Sequence, residues 1–222
     1  MGGVFNSINL DAYHYAGQNP VMMTDPDGNS TWIDKEGVVK EVKNDNNLGI
    51  YRVGDNKMKQ KLGETKFWDS FVSPDTGKPV GKIFLGESIE LYLSSLAKEA
   101  KGMSSFGVAR ESIPNGKFDV KSKYPGHEGK SYHGFLFQGK YITLREAGNV
   151  LAGANAAILG QSFDDFQKMA GALHAGGISG LIKYQTYGKT YGNYPNYGEC
   201  DYQRTRSEWG YMLVGDGKFP LP

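Results

Sequence analysis

The chain has few of the residues on which several protein classes depend. It contains one cysteine, Cys200, in 222 residues, which excludes an intramolecular disulfide and a four-cysteine zinc site. It contains four histidines and no His-Glu-x-x-His segment, so we expect no metal and no other cofactor. A Walker loop, a dinucleotide-binding glycine motif after a strand and a Gly-x-Ser-x-Gly segment are missing too.

Long apolar runs and a dominant charge are also missing. No segment approaches the roughly eighteen apolar residues of a membrane-spanning helix, so we expect no membrane insertion. Residues 1–20 lack the basic start and apolar stretch of a secretory signal. With 25 Lys and Arg against 24 Asp and Glu, the net charge is +1, so any attraction to nucleic acid must come from a local patch.

The chain is long enough to bury a core, and its hydrophobic pattern predicts an α+β fold. Residues 31–85 contain short β-prone pieces separated by turns, and the later segments mix a β-hairpin with helices. The predicted elements after these pieces are a helix over Glu87–Lys101, a strand at Asp119–Lys121, a hairpin over Tyr132–Thr143, helices over Leu144–Leu159 and Phe163–Ala175, and a strand or helix over Glu208–Val214.

A family motif stands near the N-terminus. Asn9, Leu10, Tyr13, Tyr15 and the Asn19-Pro20 pair are followed by Asp25-Pro26-Asp27-Gly28. This pattern resembles the last segment of the core of Rhs (YD-repeat) proteins. The resemblance implies that a shell-like core ends here and that the following chain is a toxin, released from the shell and delivered into a target cell. It also implies autoproteolysis after the Asp-Pro-x-Gly segment and a cognate immunity protein as partner.

This resemblance divides the chain into three predicted units. Residues 1–30 would be the tail of the Rhs core, which contacts the shell of the parent chain. Residues 31–100 would form a small β-rich linker module. Residues 101–222 would form the toxin domain, with the hairpin, two or three core helices and a glycine- and tyrosine-rich loop.

The start of the predicted helix Leu144–Leu159 carries the best candidate catalytic cluster. Arg145 and Asn149 are four residues apart and Glu146 and Asn149 three apart, so they are neighbours on the helix surface. The positive end of the helix dipole would favour a phosphate or oxyanion there. The alternative is that Glu146 only stabilises the dipole, with Arg145 and Asn149 solvated. Small residues at Gly148, Ala152 and Gly153 would let a ligand or another backbone approach.

Arg145, Glu146, Gly148, Asn149 and Gly153 also match the pattern Arg-[Asp/Glu]-x-Gly-Asn-x-x-Ala-Gly. The pattern resembles polymorphic toxin type 44 over about residues 117–214, which implies a nuclease. Our leading hypothesis is therefore a metal-independent RNase. Glu146 and His133 would be the acid–base pair, and Arg145 and Asn149 would bind the phosphate and the oxyanion.

The tyrosine-rich segment is the candidate substrate-binding region. Aromatic rings interleaved with cations suit base stacking with phosphate contact, and they suit sugar stacking equally well. They also suit a loop that simply packs on the core. The candidate substrate-binding residues are Tyr191, Tyr194, Tyr197, Glu199, Arg204 and Arg206.

Two alternatives to a nuclease remain open. One is a peptidoglycan-cleaving glycosidase with Glu146 as general acid and Glu199 or Asp201 as the second carboxylate, about 5–9 Å away. The other is a non-enzymatic binding module whose glycine- and tyrosine-rich surface captures a partner. A binding module would keep its toxicity when Glu146 is replaced by Gln.

Overall fold

The computed structural model describes residues 28–53 and 58–221, so most of the Rhs-like segment lies outside the described residues. The described part of the chain has an α+β fold, as predicted. Its strands are β1 Asn29–Ile33, β2 Val39–Asn44, β3 Gly49–Val53, β4 Lys59–Glu64, β5 Lys82–Ser88, β6 His133–Phe137 and β7 Lys140–Thr143. Its helices are α1 Glu90–Ala100, α2 Ser105–Glu111, α3 Val120–Lys123, α4 Leu144–Ile158, α5 Phe163–Tyr187 and α6 Asp201–Gly215.

The first sheet has the strand order β2-β1-β3-β4. Strand β1 is antiparallel to β2 and parallel to β3, and β4 runs antiparallel along the outer side of β3. The turn between β1 and β2 is held by Asp34, whose Oδ1 accepts hydrogen bonds from the backbone N–H groups of Glu36 and Val38. The predicted β segments at 66–72 are wrong: this part of the chain forms turns, with one isolated bridge from Val72 to Pro79.

The second sheet has the strand order β5-β6-β7, and the predicted hairpin is confirmed as β6 and β7. Its turn residues Gln138 and Gly139 both have positive φ, 52° and 72°, as a two-residue type I′ turn requires. Tyr141 on β7 is buried together with Ile33, Ile50 and Ile83, so one apolar cluster joins the two sheets.

The largest hydrophobic core lies between the second sheet and the helices. It contains Leu93 of α1, Phe135 of β6, Leu151 of α4 and Leu213 of α6. The predicted boundary between residues 100 and 101 thus falls between α1 and α2, while α1 packs in the same core as α4.

The helices differ from prediction mainly in the second half of the chain. The predicted helix end at Gly176-Gly177 is confirmed by the non-helical dihedral angles of Gly177 (φ 57°, ψ −151°), but a second helical segment, which the sequence pattern does not predict, follows it to Tyr187. The predicted strand at Asp119–Lys121 is wrong, because Val120–Lys123 forms one helical turn. Asp119 precedes this turn, and its Oδ2 accepts bonds from the N–H of Asn115 and the hydroxyl of Ser122. No helix of the described residues combines the length and apolarity that a membrane crossing needs.

Helices α4 and α6 touch backbone to backbone. A Cβ on Gly153 would lie 1.8 Å from the carbonyl oxygen of Ser207, and one on Gly210 would lie 1.9 Å from that of Val150. These distances are far below van der Waals contact, so only glycine fits at either position. The small residues on α4 predict close approach by either a ligand or another backbone. At Gly153 it is the backbone of α6 that approaches.

Candidate functional site

Glu146 lies at the N-terminus of α4, where it is part of a capping box. The Thr143 hydroxyl accepts a hydrogen bond from the backbone N–H of Glu146 (3.3 Å), and Oε2 of Glu146 accepts one from the N–H of Thr143 (2.8 Å). Oε1 accepts further bonds from Ser70 Oγ (2.9 Å) and Arg206 Nη2 (3.2 Å). The side chain is fully buried, at 0 % exposure. Both carboxylate oxygens are thus occupied by protein partners, and the side chain has no surface exposed to solvent.

Arg206, predicted to bind substrate, is instead the central cation of this buried cluster. Its guanidinium is paired with both Asp69 and Glu146, and its side chain is 5 % exposed. Burial raises the pKa of Glu146, and the positive charge of Arg206 opposes that rise. We call Asp69, Ser70, Glu146 and Arg206 the α4 cluster. It joins a turn at residues 69–70, the start of α4 and one face of α6.

Arg145 and Asn149 point their polar groups elsewhere. Arg145 Nη1 donates to the Tyr132 hydroxyl (3.2 Å), and its guanidinium carbon lies 4.0 Å from the centre of the Tyr202 ring. Arg206 lies 3.9 Å from the centre of the same ring, so Tyr202 contacts both guanidinium groups. Asn149 Nδ2 donates to the carbonyl oxygen of Arg145 (3.2 Å). The amide of Asn149 is therefore engaged with its own helix.

His133 forms its closest polar contact with another histidine. Its Nδ1 lies 2.9 Å from Nδ1 of His127, and both rings are partly buried. One Nδ1 must carry the proton and the other must offer its lone pair. The two Nε2 atoms are then the nitrogens that remain for a substrate. We call these two residues the histidine pair.

Aromatic rings and cations surround the histidine pair. The Phe84 ring centre lies 4.5 Å from that of His127 and 5.0 Å from that of His133, and Tyr124 stacks on His127 at 5.5 Å. Lys82 is the strand partner of His133. Burial lowers the pKa of His133, and the positive charges of His127, Lys130 and Lys82 lower it further. The shift favours the unprotonated form of this imidazole, the form that can accept a proton.

The segment that ends at the histidine pair carries an excess of lysines despite the small net charge of the whole chain, although one of them, Lys117, is paired with Glu99. Between positions 117 and 133 the sequence carries lysines at 117, 121, 123 and 130, against the carboxylates Asp119 and Glu128. Asp119 is buried and bonded to its own turn. The segment therefore offers more positive than negative charge to solvent, the local condition for attracting a phosphate backbone.

The tyrosine segment brings together only some of the predicted binding residues. Tyr194 and Arg204 line a small pocket with Phe163, Asp164, Gln167 and Pro195. Tyr197 donates its hydroxyl proton to Asp164 Oδ1 (2.7 Å), while Tyr191 packs against Gly176. Glu199 is largely buried, and burial raises its pKa to about 7 against the opposing effects of Gln167 and Arg204. Asp201 is exposed and accepts a bond from Asn196 Nδ2 (2.6 Å).

Sequence reasoning missed several residues that the structure places at these sites. Asp69 and Ser70 are 137 and 76 positions from their partners Arg206 and Glu146, so no local pattern connects them. Gln167 looks like any polar residue of an amphipathic helix. His127 is six positions from His133, and this short separation is the signal in the sequence that could have paired the two histidines.

Within residues 28–53 and 58–221 no group of three or more His, Cys, Asp or Glu side chains is placed to hold a metal ion. No protein-family model, no curated protein and no solved structure matches the chain.

Proposed function

We propose that this chain is an Rhs-type effector toxin that cleaves RNA without a metal ion, and that the histidine pair is its catalytic centre. The observation that carries the proposal is the 2.9 Å contact between the Nδ1 atoms of His127 and His133. The toxin part of the proposal depends on the N-terminal Rhs-like motif and on the type 44 pattern around Arg145. Glu146, fully buried in the α4 cluster, becomes a positioning residue in this proposal instead of the partner of His133.

RNA cleavage needs one proton taken from the 2′-hydroxyl and one proton given to the leaving 5′-oxygen. The hydrogen-bonded histidine pair can do both. With Nδ1 of His133 protonated, its Nε2 is free to take the proton of a ribose 2′-hydroxyl. The 2′-oxygen then attacks phosphorus, and the bond from phosphorus to the 5′-oxygen breaks. His127 gives its Nε2 proton to that leaving oxygen and receives the Nδ1 proton of His133. The pair is neutral before and after, with the tautomers exchanged.

Neighbouring residues supply the remaining roles. Lys82 is the strand partner of His133 and its Nζ lies 5.1 Å from the centre of the Phe84 ring, so its charge is available to the phosphate beside the pair. Phe84 and Tyr124 hold the His127 ring between them. Arg145 and Tyr132 sit at the same end of β6 and extend the cationic surface.

The direct test is cleavage of an RNA oligonucleotide by the purified 222-residue chain in the presence of a chelator. We expect products that end in a 2′,3′-cyclic phosphate, with a DNA strand of the same sequence left intact. His133→Ala and His127→Ala should each lower the rate by about 10²- to 10⁴-fold, the usual contribution of general acid–base catalysis. His174→Ala is the matched control, because His174 is exposed on α5.

A cellular experiment separates this proposal from the glycosidase. The chain is produced in the bacterial cytoplasm and, separately, with an export signal to the periplasm. Killing from the cytoplasm with degraded RNA supports the RNase. Killing only from the periplasm, with rounding and lysis, would overturn it in favour of a cell-wall hydrolase.

A further inference from the structure

A small pocket, which shares no lining residue with the surroundings of the histidine pair, lies between the first turns of α5 and α6 and the tyrosine segment. It is lined by Phe163, Asp164, Gln167, Tyr194, Pro195 and Arg204 and has a volume of about 120 Å³. At about 30 Å³ per water, this is room for about four water molecules. The pocket therefore suits one ring-sized group and not a length of polymer.

Gln167 is the feature that points to a ligand. Its side chain is 1 % exposed, and among the described residues neither Oε1 nor Nε2 has a hydrogen-bond partner. Buried amides are nearly always hydrogen-bonded, because an unpaired one loses its bonds to water without replacement. Since Gln167 lines the pocket, a bound molecule is in position to supply both missing bonds.

Two charged groups beside Gln167 also keep unpaired atoms. Oε2 of Glu199 and Nε of Arg204 are buried and have no partner within the part of the chain that the structure describes. Arg204 is nevertheless held in place, because its Nη1 donates to Glu208 Oε2 (3.1 Å). Glu199 lies close enough to Gln167 for the amide to oppose the rise in the carboxyl pKa, although no hydrogen bond of normal geometry joins them. Of these groups Gln167 and Arg204 line the pocket, so an amide that can donate and accept lies there with a guanidinium donor.

We propose that this pocket binds a single nucleobase of the RNA substrate, with guanine bound most tightly; this inference rests on the function proposed above. The amide of Gln167 and the guanidinium of Arg204 are both planar groups, as the in-plane bonds of a base require, whereas sugar hydroxyls point in several directions. Arg204 can donate to the acceptors O6 and N7 of guanine, and the Gln167 amide can accept from one of its N–H groups. The ring of Tyr194, 50 % exposed at the mouth, supplies a stacking surface.

The test is calorimetric titration of the full chain with the 5′-monophosphates of guanosine, adenosine, uridine and cytidine. We expect guanosine monophosphate to bind most tightly. Gln167→Leu should weaken that binding about tenfold or more, the effect of losing one good base contact. The same variant should keep or raise the melting temperature, because it removes an unpaired buried amide. Tyr194→Ala, a change at a half-exposed position, should also weaken binding.

Asn155→Leu is the matched control. Asn155 on α4 is also fully buried with both amide atoms unpaired, but it does not line the pocket. It should keep or raise the melting temperature without changing nucleotide affinity. Equal loss of binding in Asn155→Leu and Gln167→Leu would overturn the assignment of the pocket.

The outcomes for the two proposals are distinguishable. If the wild-type chain and His133→Ala both bind guanosine monophosphate, but the wild-type chain cleaves no RNA, the pocket is upheld and the RNase is overturned. RNA cleavage without binding of any monophosphate would overturn the pocket alone. Tight binding of N-acetylglucosamine oligosaccharides in place of nucleotides would overturn the nucleobase assignment in favour of a sugar site.

Discussion

The protein buries one carboxyl group at the start of α4 and another just before α6, and it treats the two differently. Glu146 in the α4 cluster receives hydrogen bonds on both oxygens and an ion pair from Arg206. Among the described residues, Glu199 keeps one buried oxygen without a partner, close to the unpaired amide of Gln167. Burial raises the pKa of both carboxyl groups, so a perturbed pKa alone does not separate them. Pairing of the carboxylate oxygens does: both oxygens of Glu146 have partners and so stabilise the fold, whereas one oxygen of Glu199 has none among the described residues.

The largest effect should come from breaking the α4 cluster. Glu146→Ala removes the capping-box carboxylate and leaves Arg206 buried beside Asp69 alone. We expect a loss of about 3–5 kcal/mol in the free energy of unfolding, the usual result of removing one partner of a buried ion pair. Urea denaturation measures it. Asp216→Ala, which removes the partner of Lys218 in a solvent-exposed pair, is the control and should change little. If Glu146→Ala lowers the free energy of unfolding only slightly, the pairing of Glu146 does not stabilise the fold, and the difference from Glu199 disappears.

The pH dependence of stability should identify Glu199. Its folded-state pKa of about 7 lies above the ordinary value of 4.5, so the folded protein holds this proton more tightly than the unfolded chain. The corresponding stability is present below about pH 4.5 and is lost as the pH rises through about 7. For a shift from 4.5 to about 7 the change is about 3 kcal/mol.

The lowered pKa of His133 acts with the opposite sign in the same pH range, since its loss of a proton on folding favours the folded state as the pH rises. The measurement is therefore the difference between the wild-type chain and Glu199→Gln in denaturation series at pH 5 and pH 8. Glu199→Gln should remove the part of the pH dependence that lowers the free energy of unfolding between pH 5 and pH 8. Parallel pH profiles for the two proteins would show that Glu199 is ionised without cost.

Two glycines on α4 have different surroundings: Gly153 is packed against the backbone of α6, whereas Gly148 has room for a Cβ atom. Gly153→Ala forces the Ser207 backbone away and should destabilise the fold by about 1–3 kcal/mol, as overpacking does. Gly148→Ala is the matched control: its Cβ would meet only Val120, at 3.9 Å. There the change should stabilise the helix by up to about 1 kcal/mol. Thermal melts of both variants measure the effects, and similar destabilisation at both positions would contradict the α4–α6 contact.

Local chemistry made part of the fold predictable. The pattern predicts a helix that begins at Leu144, directly after a threonine, and Thr143 does cap that helix with a full capping box. The hairpin around Gln138-Gly139 and the helix before Gly102 follow from turn residues and from the spacing of apolar side chains. The pattern also predicts that the helix beginning at Phe163 ends at Gly176-Gly177, and the helical dihedral angles do stop at Gly177, but a second helical segment follows. A glycine permits a positive φ, and packing of the following residues, such as the fully buried Leu181, decides whether the helix resumes.

The residues of the candidate sites show the same division between what local sequence predicts and what it does not. His133, Glu146, Glu199 and Arg204 could be chosen from the sequence because their chemistry is visible in one residue and its neighbours. Their partners could not: Ser70 and Asp69 reach α4 and α6 from a turn far away in sequence, and Gln167 meets Glu199 only because α5 folds back on the tyrosine segment. The sequence by itself determined the elements, their caps and the list of reactive side chains, since these depend on residues a few positions apart. Only the tertiary structure decided which of those side chains are paired, because pairing and burial depend on contacts between distant segments.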